Sequence, residues 1–566
     1  MRRPPDPFRP LFPFLCRHRK ATTHCGPPVG LPTNVPTLRA AIRLGLLVGL
    51  LVGALMAGVG SRGDEPPFRY YFPLVGRVPA AVGFPDGVAA GDVSPTAAQL
   101  WTRADVATDL TLEVATDPWF NAVVARRMVT AGPATDFTAQ AWVEGLNPGE
   151  RYYFRWRRGA DASSTGVLRT APPPDQAADV RFAYSGDSDG TPVDGRPVYN
   201  AFDVLAAVRR DQPDFFIYLG DTIYADSPAR TEGPARTLAD YRQTYRTNRR
   251  LPALTDLLAA VPIYAIWDDH EVLNDYAGQT VDRSRYTLAR QAFLEYMPLR
   301  TDALPPADGC AAAPLFRVFR WGSLVEIIIL DGRSCRSADA AGACRDGSGN
   351  PDPAPTLPAL SRLNLGLPAT PPPGCREAIA DPNRTLLGSH QKALFKQTLL
   401  ASTAAFVFVV NPVPIQQYYF WPYDRWEGYA AERAEILNFI RTHRLANVIF
   451  LTTDAHANLM NEVFVDRFTD PTPVAYEAVT GPIAAATLGS RLQRSGGPEL
   501  VEQFHRGLDL VGLDCRRLDA YAYGLVTVEA AGPRAVLRLQ DETGAVLRDD
   551  RNPARTCALT LGTFQR

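Results

Sequence analysis

The 566-residue sequence predicts an α/β fold, in which layered sheet is flanked by helices, preceded by a small β-sandwich. Three observations support this. Four short, continuous apolar runs are typical of strands buried on both faces, and amphipathic stretches that suit helices alternate with them. Short strand-like segments separated by Gly, Pro and Asp come earlier in the chain. The four apolar runs are residues 180–184, 215–219, 263–267 and 448–451.

The β-sandwich is expected over residues 67–172. The segment from Leu146 to Tyr152 resembles the turn and tyrosine corner of fibronectin-type sandwiches. A run of prolines at 172–174 then predicts a linker. The clearest strand candidates in this region are residues 98–102, 110–115 and 152–157.

The α/β part is expected to be one large domain over residues 179–530. Two stretches rich in Pro, Gly, Ala and Cys, near 301–314 and 331–385, interrupt its pattern and predict long insertions. Residues 531–566 form a C-terminal extension. The amphipathic stretches that predict helices include residues 200–210, 237–260 and 430–443.

Residues 1–62 read as a basic leader followed by a hydrophobic segment. Residues 1–43 carry eight Arg or Lys and one Asp, so the rest of the chain has a charge of about −8 within a formal net charge of −1. The uncharged stretch 44–60, from Leu44 to Gly60, fits a signal peptide, and an uncleaved membrane anchor is the alternative. These features predict an exported protein that is periplasmic, secreted or anchored on the outer side of a membrane. The mildly acidic remainder shows no basic surface for nucleic acid.

Six cysteines follow the leader and agree with export. Six cysteines allow fifteen pairings, so spacing assigns none of them, and free buried thiols remain the alternative. Their spacing does not suit a zinc site made of thiolates. They are Cys310, Cys335, Cys344, Cys375, Cys515 and Cys557.

Polar residues of metal-binding type follow each of the four apolar runs. The carboxyl ends of buried strands meet at one rim of a sheet, so these side chains are expected to converge. The set combines carboxylates, imidazoles and a phenol. It consists of Asp187 after the first run, Asp221 and Tyr224 after the second, Asp269 and His270 after the third, and Asp454 and His456 after the fourth.

This set suits the hydrolysis of a phosphoester. Two metal ions bind the oxygens of the ester, generate hydroxide and stabilise the transition state, which requires a bridging carboxylate and further ligands. Asp221 is the natural bridging candidate, because it follows a strand in the tight Gly220–Asp221 turn. Tyr224, three residues on, points back to the same metal if that turn opens a helix.

Three motifs resemble those of the PhoD-like alkaline phosphatases, within the calcineurin-like metallophosphoesterases, and the resemblance runs from about residue 83 to 530. It implies a metallophosphoesterase-type layered sheet and an alkaline phosphatase that acts on small phosphoesters. It also implies two or more metal ions, with iron and calcium suggested and manganese, magnesium and zinc as alternatives. The motifs are Gly220-Asp221-x-x-Tyr224, Trp267-Asp268-Asp269-His270-Glu271-Val272-x-Asn274 and Asp454-x-His456.

The resemblance also implies roles for individual residues. One metal would be held by Asp187, Asp221 and Tyr224, together with a ligand from Asp454 or His456. Asp221 would bridge to a second metal held by Asp269, with Asn274 as an alternative neutral ligand. His270 would donate to a phosphoryl oxygen or to the leaving group, and Arg333 would clamp a phosphate oxygen.

Two positions depart from the family pattern. Many members carry a Cys after the first strand, where this chain has Gly186 and Asp187. The glycine that usually precedes the Asp-x-His motif is replaced by Thr453. A carboxylate in place of a thiolate favours calcium, manganese or magnesium.

The expected activity is the release of phosphate by attack of a metal-bound hydroxide. A phosphodiesterase or phospholipase D-like hydrolase of the same fold is the alternative within the same chemistry. A third possibility is a non-catalytic cell-surface binding protein on a decayed hydrolase fold, and it predicts a broken ligand set. Substrate size, metal identity, disulfide pairing and oligomeric state do not follow from the sequence.

Overall fold

The computed structural model describes residues 83–300 and 315–562. The predicted leader 1–62 and the insertion 301–314 lie outside the described residues. Among the described residues, no helix combines the length and apolar character needed to cross a membrane.

The described elements alternate between strands and helices after an all-β beginning. The first strands are β1 Val88–Gly91, β2 Ala97–Arg103, β3 Thr108–Ala115, β4 Val123–Ala131, β5 Thr138–Glu144, β6 Arg151–Arg158, β7 Asp161–Ala162, β8 Gly166–Arg169, β9 Val180–Ser185, β10 Pro192–Val193, β11 Arg196–Pro197, β12 Phe215–Leu219 and β13 Ile263–Ile266. The later strands are β14 Arg317–Trp321, β15 Val325–Ile329, β16 Phe406–Val410, β17 Val448–Thr452, β18 Asn458–Asp466, β19 Asp470–Val479, β20 Cys515–Arg517, β21 Ala522–Glu529, β22 Arg534–Asp541 and β23 Ala558–Gly562. The α-helices are α1 Asp203–Arg210, α2 Leu238–Arg249, α3 Pro252–Ala260, α4 Arg283–Tyr296, α5 Ala359–Asn364, α6 Cys375–Ile379, α7 Ser389–Ala401, α8 Ala430–Thr442 and α9 Leu488–Val511.

Two large sheets form the centre of the molecule. The first has nine strands in the order β23-β22-β21-β9-β12-β13-β1-β2-β5, and the second has seven in the order β14-β15-β16-β17-β19-β18-β20. Each has a parallel centre, β9-β12-β13-β1 in the first sheet and β15-β16-β17-β19 in the second. This mixed, layered arrangement confirms the predicted fold class.

The inner faces of the two sheets pack against each other through aromatic side chains. Phe182 of β9 meets Phe408 of β16 edge-on, with ring centroids 5.0 Å apart, and Phe215 of β12 lies 4.6 Å from Trp321 of β14. The continuous apolar runs are explained by this packing, because helices such as α8 cover the outer faces and leave no polar side to the central strands.

The N-terminal region is rich in β-structure, as predicted, but its strands are divided between two sheets. β3, β4, β6, β7 and β8 form a separate five-stranded sheet, whereas β1, β2 and β5 pair into the nine-stranded sheet. At the predicted tyrosine corner, the backbone N–H of Asn147 donates to the Tyr152 hydroxyl over 2.8 Å.

The helical stretch predicted over 237–260 is two helices rather than one. α2 ends at Arg249 and α3 begins at Pro252. Proline has no backbone N–H and a fixed φ, so it suits the first position of a helix and interrupts the middle of one.

Two disulfides lie in the described residues. Cys344–Cys375 fastens the insertion 331–385, and Cys515–Cys557 joins β20, at the edge of the seven-stranded sheet, to the chain just before β23, at the edge of the nine-stranded sheet. They confirm the disulfide prediction for these four cysteines and indicate an oxidising compartment.

Candidate metal centre

The four predicted ligand turns meet, although their strands do not share one sheet. β9, β12 and β13 are neighbours in the nine-stranded sheet, and β17 belongs to the seven-stranded sheet. Because the two sheets are stacked, the turn after β17 faces the three turns of the other sheet across the edge of the core. The predicted convergence on a single rim is therefore a convergence between two sheets.

Four residues at these turns have left-handed backbone conformations. The φ angles are +59° at Asp187, +47° at Asp221, +67° at Asp454 and +50° at His456. Residues with side chains adopt this region rarely, and it is concentrated at functional sites whose surroundings hold it in place. These conformations end β9, β12 and β17 abruptly.

A first group of possible ligands consists of Asp187, Asp221 and His456, whose ligand atoms lie within 4.8 Å of one another. All three are buried. The Tyr224 hydroxyl lies 3.1 Å from Nε2 of His456, so the phenol belongs to the same group.

Three further groups lie beside the first, one of them formed by Asp269, Asp275 and Asp424. Asp221 also groups with Asp269 and His270, and Asp269 groups in turn with Asp268 and Asp454, again within 4.8 Å. Asp221 is thus shared between two adjacent groups, which is the position that a bridging carboxylate requires.

Two buried carboxylate oxygens have no hydrogen-bond partner, Oδ2 of Asp268 and Oδ1 of Asp269. An unpaired buried carboxylate oxygen is costly unless a cation or a donor faces it. The carboxylates, imidazole and phenol around these atoms are donors of the kind that di- and trivalent metal ions prefer. The residues of this site therefore fit metal ions.

The pKa shifts of the aspartates also indicate a site for metal ions. Burial, and then the neighbouring acidic groups, raise the pKa of Asp221 and Asp454 well above the usual range. Burial also raises the pKa of Asp187 to about 7, against hydrogen bonds from Thr453 and Asp454 that lower it. So many carboxylates at one place repel one another, and bound cations offset that repulsion.

His270 is held in a defined orientation. Its Nδ1 lies 2.6 Å from Oδ1 of Asp226, and its ring stacks on Tyr224 with centroids 4.0 Å apart. Burial alone would lower the pKa of His270, but the charges of Asp226, Asp269 and Asp221 outweigh it and raise the pKa well above its usual value. This shift favours the protonated ring, in which Nε2 carries a proton.

His456 has the opposite character. Burial, reinforced by the charge of Arg491, lowers its pKa well below the usual value. Its Nδ1 lies 2.7 Å from the carbonyl oxygen of Ala486 and donates to it in the neutral ring. Nε2 is then an acceptor that faces the Tyr224 hydroxyl at 3.1 Å and Nη2 of Arg491 at 3.3 Å, and a metal bound there would replace these donors.

Arg333 is fully buried behind the carboxylates. Its Nε donates to Oδ1 of Asp268 over 2.5 Å, and its two terminal nitrogens donate to Asp424 over 2.7 and 2.6 Å. Its Nη2 also lies 3.8 Å from Asp269 and 4.0 Å from Asp454. The role of Arg333 as a phosphate clamp stays a prediction. In the structure, the donors of its guanidinium face aspartates.

Asn274 lies apart from the convergent side chains. It is exposed, and its described contact is a backbone N–H that donates to Oδ2 of Asp226 over 2.7 Å. Its role as a neutral ligand stays a prediction.

Sequence reasoning missed several residues of the site. Asp226, five residues after Asp221, orients His270. Asp424 contacts Arg333 and lies outside the three motifs. The sequence marks Thr453 only as a departure from the family pattern, whereas in the structure its hydroxyl donates to Asp187. The spacing of Asp226 after the strand was an available signal, whereas Asp424 has none in the sequence.

Two family models match the chain. One, described as PhoD-like phosphatase, matches residues 193–519, which is more than half of the chain. The other, described as the N-terminal domain of PhoD-like phosphatases, matches residues 75–172. The chain belongs to the PhoD-like phosphatase family. The resemblance drawn from the three motifs is confirmed.

Among relatives of this family, alkaline phosphatase D of Bacillus subtilis (strain 168) is 29% identical over 418 residues, which cover 67% of this chain. The match covers 65% of the relative, so the chain spans just under two thirds of that protein's length.

Two solved structures share the fold. A PhoD structure superposes with a TM-score of 0.66 at 24% identity, covering 85% of this chain and 91% of that one. A purple acid phosphatase from yellow lupin seeds superposes with a TM-score of 0.50 at 10% identity, covering 84% and 73%. These similarities support the two-sheet metallophosphoesterase architecture.

Proposed function

We propose that this protein is a metal-dependent phosphoester hydrolase that releases phosphate from small organic phosphoesters, as its PhoD-like family implies. The observation that carries the proposal is the convergence of the ligand groups on Asp221, beside two buried carboxylate oxygens that no protein donor satisfies. The predicted carboxylates, imidazoles and phenol come together, which argues against a non-catalytic binding protein on a decayed fold.

The metal ions are proposed to lie in two adjacent positions. Asp187, Tyr224 and His456 would hold the first, Asp269 and Asp454 would belong to the second, and Asp221 would be shared between them. Asp268 contributes its unpaired oxygen to the second position. When bound, such a pair supplies Lewis acidity for the phosphoryl oxygens and lowers the pKa of water.

The protein's own residues supply the proton. In the protonated ring, which the raised pKa of His270 favours, Asp226 accepts from Nδ1 and the proton on Nε2 is available to a phosphoryl oxygen or to the leaving group. Arg333, with His270 and against burial, lowers the pKa of Asp269. Arg333 binds a phosphate oxygen only if Asp424 releases one of its terminal nitrogens.

The identity of the metals is proposed from the ligand types. A phenol at Tyr224 suits a hard trivalent ion such as iron, and the carboxylates suit calcium, with manganese, magnesium and zinc as alternatives. Asp187, which stands where many relatives carry a thiolate, favours the harder ions.

We further propose that the chain is exported and that the segment 44–60 is a signal peptide or an anchor. The two disulfides support an oxidising compartment. We also keep the proposed division into an N-terminal β-sandwich domain at 67–172 and a catalytic domain at 179–530, which the two family matches support. The proposed extension at 531–566 contributes β22 and β23 to the nine-stranded sheet.

The deciding experiment assays purified protein on a phosphate monoester and a phosphate diester, with metal content measured on the same sample. We expect turnover of the monoester and more than one metal ion per chain. Faster turnover of the diester would favour the alternative, a phosphodiesterase or phospholipase D-like hydrolase. The absence of both turnover and bound metal would refute the proposal.

A further inference from the structure

Asn248 connects two of the ligand turns from behind. It lies in α2 with 2% of its surface exposed. Its Nδ2 donates to the backbone carbonyl oxygens of Ser188 and Thr222, each over 2.9 Å. Ser188 follows Asp187 and Thr222 follows Asp221, so a single amide holds the residue next to each of two proposed ligands.

The two turns also bond to each other. The N–H of Ser188 and its hydroxyl both donate to the carbonyl oxygen of Asp221 over 2.9 Å. The N–H and hydroxyl of Thr222 donate to Glu271 over 2.6 and 2.7 Å, and Glu271 in turn accepts from the N–H of Asp268 over 2.9 Å. Three ligand turns are therefore one hydrogen-bonded unit, and Asn248 ties that unit to α2.

α2 is a firm support for this contact. Its first turn is closed by a capping box, in which Thr237 and Asp240 exchange hydrogen bonds with each other's backbone. The helix also approaches the turn closely, since a Cβ atom at Gly190 would lie 2.3 Å from Oδ1 of Asn248. Only glycine at that position allows this distance.

The amide oxygen of Asn248 has no hydrogen-bond partner among the described residues, and Asn248 lines a cavity. Because Nδ2 faces two carbonyl oxygens, Oδ1 must point away from them, and it has no partner. The Tyr245 hydroxyl and Nη1 of Arg249 are also buried without a partner, and all three residues line one cavity of about 10 Å³. That volume is close to the smallest that holds a single water molecule, which normally has two to four polar partners.

Arg249 makes an empty cavity especially unfavourable. Its guanidinium is fully buried, lies 4.1 Å from the ring centroid of Trp101, and donates to the carbonyl oxygen of Tyr296 through Nη2. Nη1 is a charged donor, and a charged donor without an acceptor costs more than a neutral one.

We propose that a single water molecule occupies this cavity, accepting from Arg249 and donating to Asn248, and that Asn248 is a positioning residue for the metal-ligand turns. The water fixes Oδ1, so Nδ2 stays directed at Ser188 and Thr222. The positioning role rests on the proposed function, whereas the water and the hydrogen bonds do not.

The test compares Asn248→Asp with Gln243→Glu. Both change an amide to a carboxylate on α2, but Gln243 is exposed and faces away from the site. In Asn248→Asp an ionised oxygen replaces the donor that faces two carbonyls. We expect backbone amide exchange in the turns 186–189 and 220–223 to accelerate about 5- to 10-fold, the effect of losing one hydrogen bond.

Metal retention against a chelator should weaken about 10-fold in Asn248→Asp, as for other residues that orient ligands. Excess metal should restore most of kcat with KM unchanged, which a folding defect would not allow. Gln243→Glu should match the unsubstituted protein in every measurement. Unchanged exchange and metal retention in Asn248→Asp would overturn the positioning role.

A crystal structure of the unsubstituted protein tests the water even if Asn248→Asp does not fold. We expect one peak of density within hydrogen-bond distance of Oδ1 of Asn248, the Tyr245 hydroxyl and Nη1 of Arg249. An empty cavity would overturn the water site. If the unsubstituted protein binds no metal, the proposed function fails, while the exchange measurement and the density still decide the hydrogen bonds and the water.

Discussion

The hydroxyl of Thr453 donates a hydrogen bond of 2.5 Å to Oδ2 of Asp187. The resemblance to the PhoD-like motifs implies a departure at each of these two positions, and they lie 266 residues apart in sequence. Gly481 also faces them, since a Cβ atom there would lie 2.5 Å from the same Asp187 oxygen. The carboxylate at position 187 is thus stabilised by a hydroxyl at position 453.

Replacing Thr453 should therefore weaken the first metal position. Thr453→Val removes the hydroxyl at nearly constant volume, and we expect about 10-fold weaker retention of one metal, because residues that orient a ligand have effects of this size. Thr453→Ser keeps the hydroxyl and should behave like the unsubstituted protein. Metal content after dialysis against a chelator measures this, and equal retention in both variants would contradict it.

Asp221→Asn should abolish activity without unfolding the protein. The amide keeps an oxygen that accepts the 3.1 Å hydrogen bond from the backbone N–H of His270, but a neutral amide cannot bridge two cations. We expect kcat on a monoester to fall more than about 100-fold, beyond the range for residues that only orient a ligand.

The same substitution should stabilise the metal-free protein. Asp221 is a buried carboxyl whose pKa burial and the neighbouring acidic groups raise, so its charge opposes folding. We expect Tm in chelator to rise by about 1–3 °C. Near-normal turnover would refute the bridging role, and a lower Tm in chelator would refute the electrostatic account.

Asp226→Asn should shift the pH dependence of activity. Asp226 helps to raise the pKa of His270, so His270 now keeps its proton to high pH. Without the negative charge that pKa falls, and the proton is lost at lower pH. We therefore expect the alkaline limb of the kcat profile to move toward lower pH, with kcat reduced about 10- to 100-fold at alkaline pH. An unmoved alkaline limb would show that His270 is not the proton donor.

Metal should stabilise the protein more at alkaline pH than at mildly acidic pH. Burial raises the pKa of Asp187 to about 7, and the pKa of Asp268 to about 6 despite Arg333, whereas these groups titrate near 4 when unfolded. Between those values the metal-free folded state binds more protons than the unfolded state, so this contribution to stability is present at low pH and is lost as pH rises through the folded pKa.

Bound metal replaces those protons and relieves the repulsion. The increase in Tm on adding metal back to chelated protein should therefore be larger at about pH 8 than at about pH 5. Scanning calorimetry measures both increments. Equal increments would mean that these carboxyls do not share protons with the metal.

The disulfide between the sheet edges should contribute more to the Tm of the whole protein than the disulfide in the insertion. Cys515–Cys557 closes 42 residues and joins chain at the edges of both sheets, whereas Cys344–Cys375 closes 31 residues within one loop region. Chain-entropy arguments assign each about 3–4 kcal/mol. We expect the double Ser variant at 515 and 557 to lower Tm of the whole protein, and that at 344 and 375 chiefly to increase proteolysis in 331–385. The reverse pattern would contradict this.

Much of the fold could be read from local pattern. The four apolar runs are strands β9, β12, β13 and β17, and the helices at 203–210 and 430–442 lie where amphipathic spacing predicted them. Pro252 marks the break between α2 and α3 in the sequence. The apolar pattern continues across it, so the pattern predicted one helical stretch instead of two. The sharing of N-terminal strands with the nine-stranded sheet was not visible, because pairing between distant strands leaves no periodic signal.

The sequence by itself determined the chemistry of the centre. Aspartate, histidine and tyrosine directly after buried strands specify the ligand types, and a strand end is a local property of the chain. The family motifs followed from the same residues.

Only the tertiary structure decided which groups act on one another. The pKa of His270 is raised by Asp226 and other acidic neighbours, and that of His456 is lowered by burial and Arg491, so the two shifts depend on the folded surroundings. The contacts of Arg333 with Asp268 and Asp424 likewise depend on a distant loop. Electrostatic and hydrogen-bond energies fall off over a few ångströms. They are therefore set by distances in the folded chain, and separation along the sequence carries no information about them.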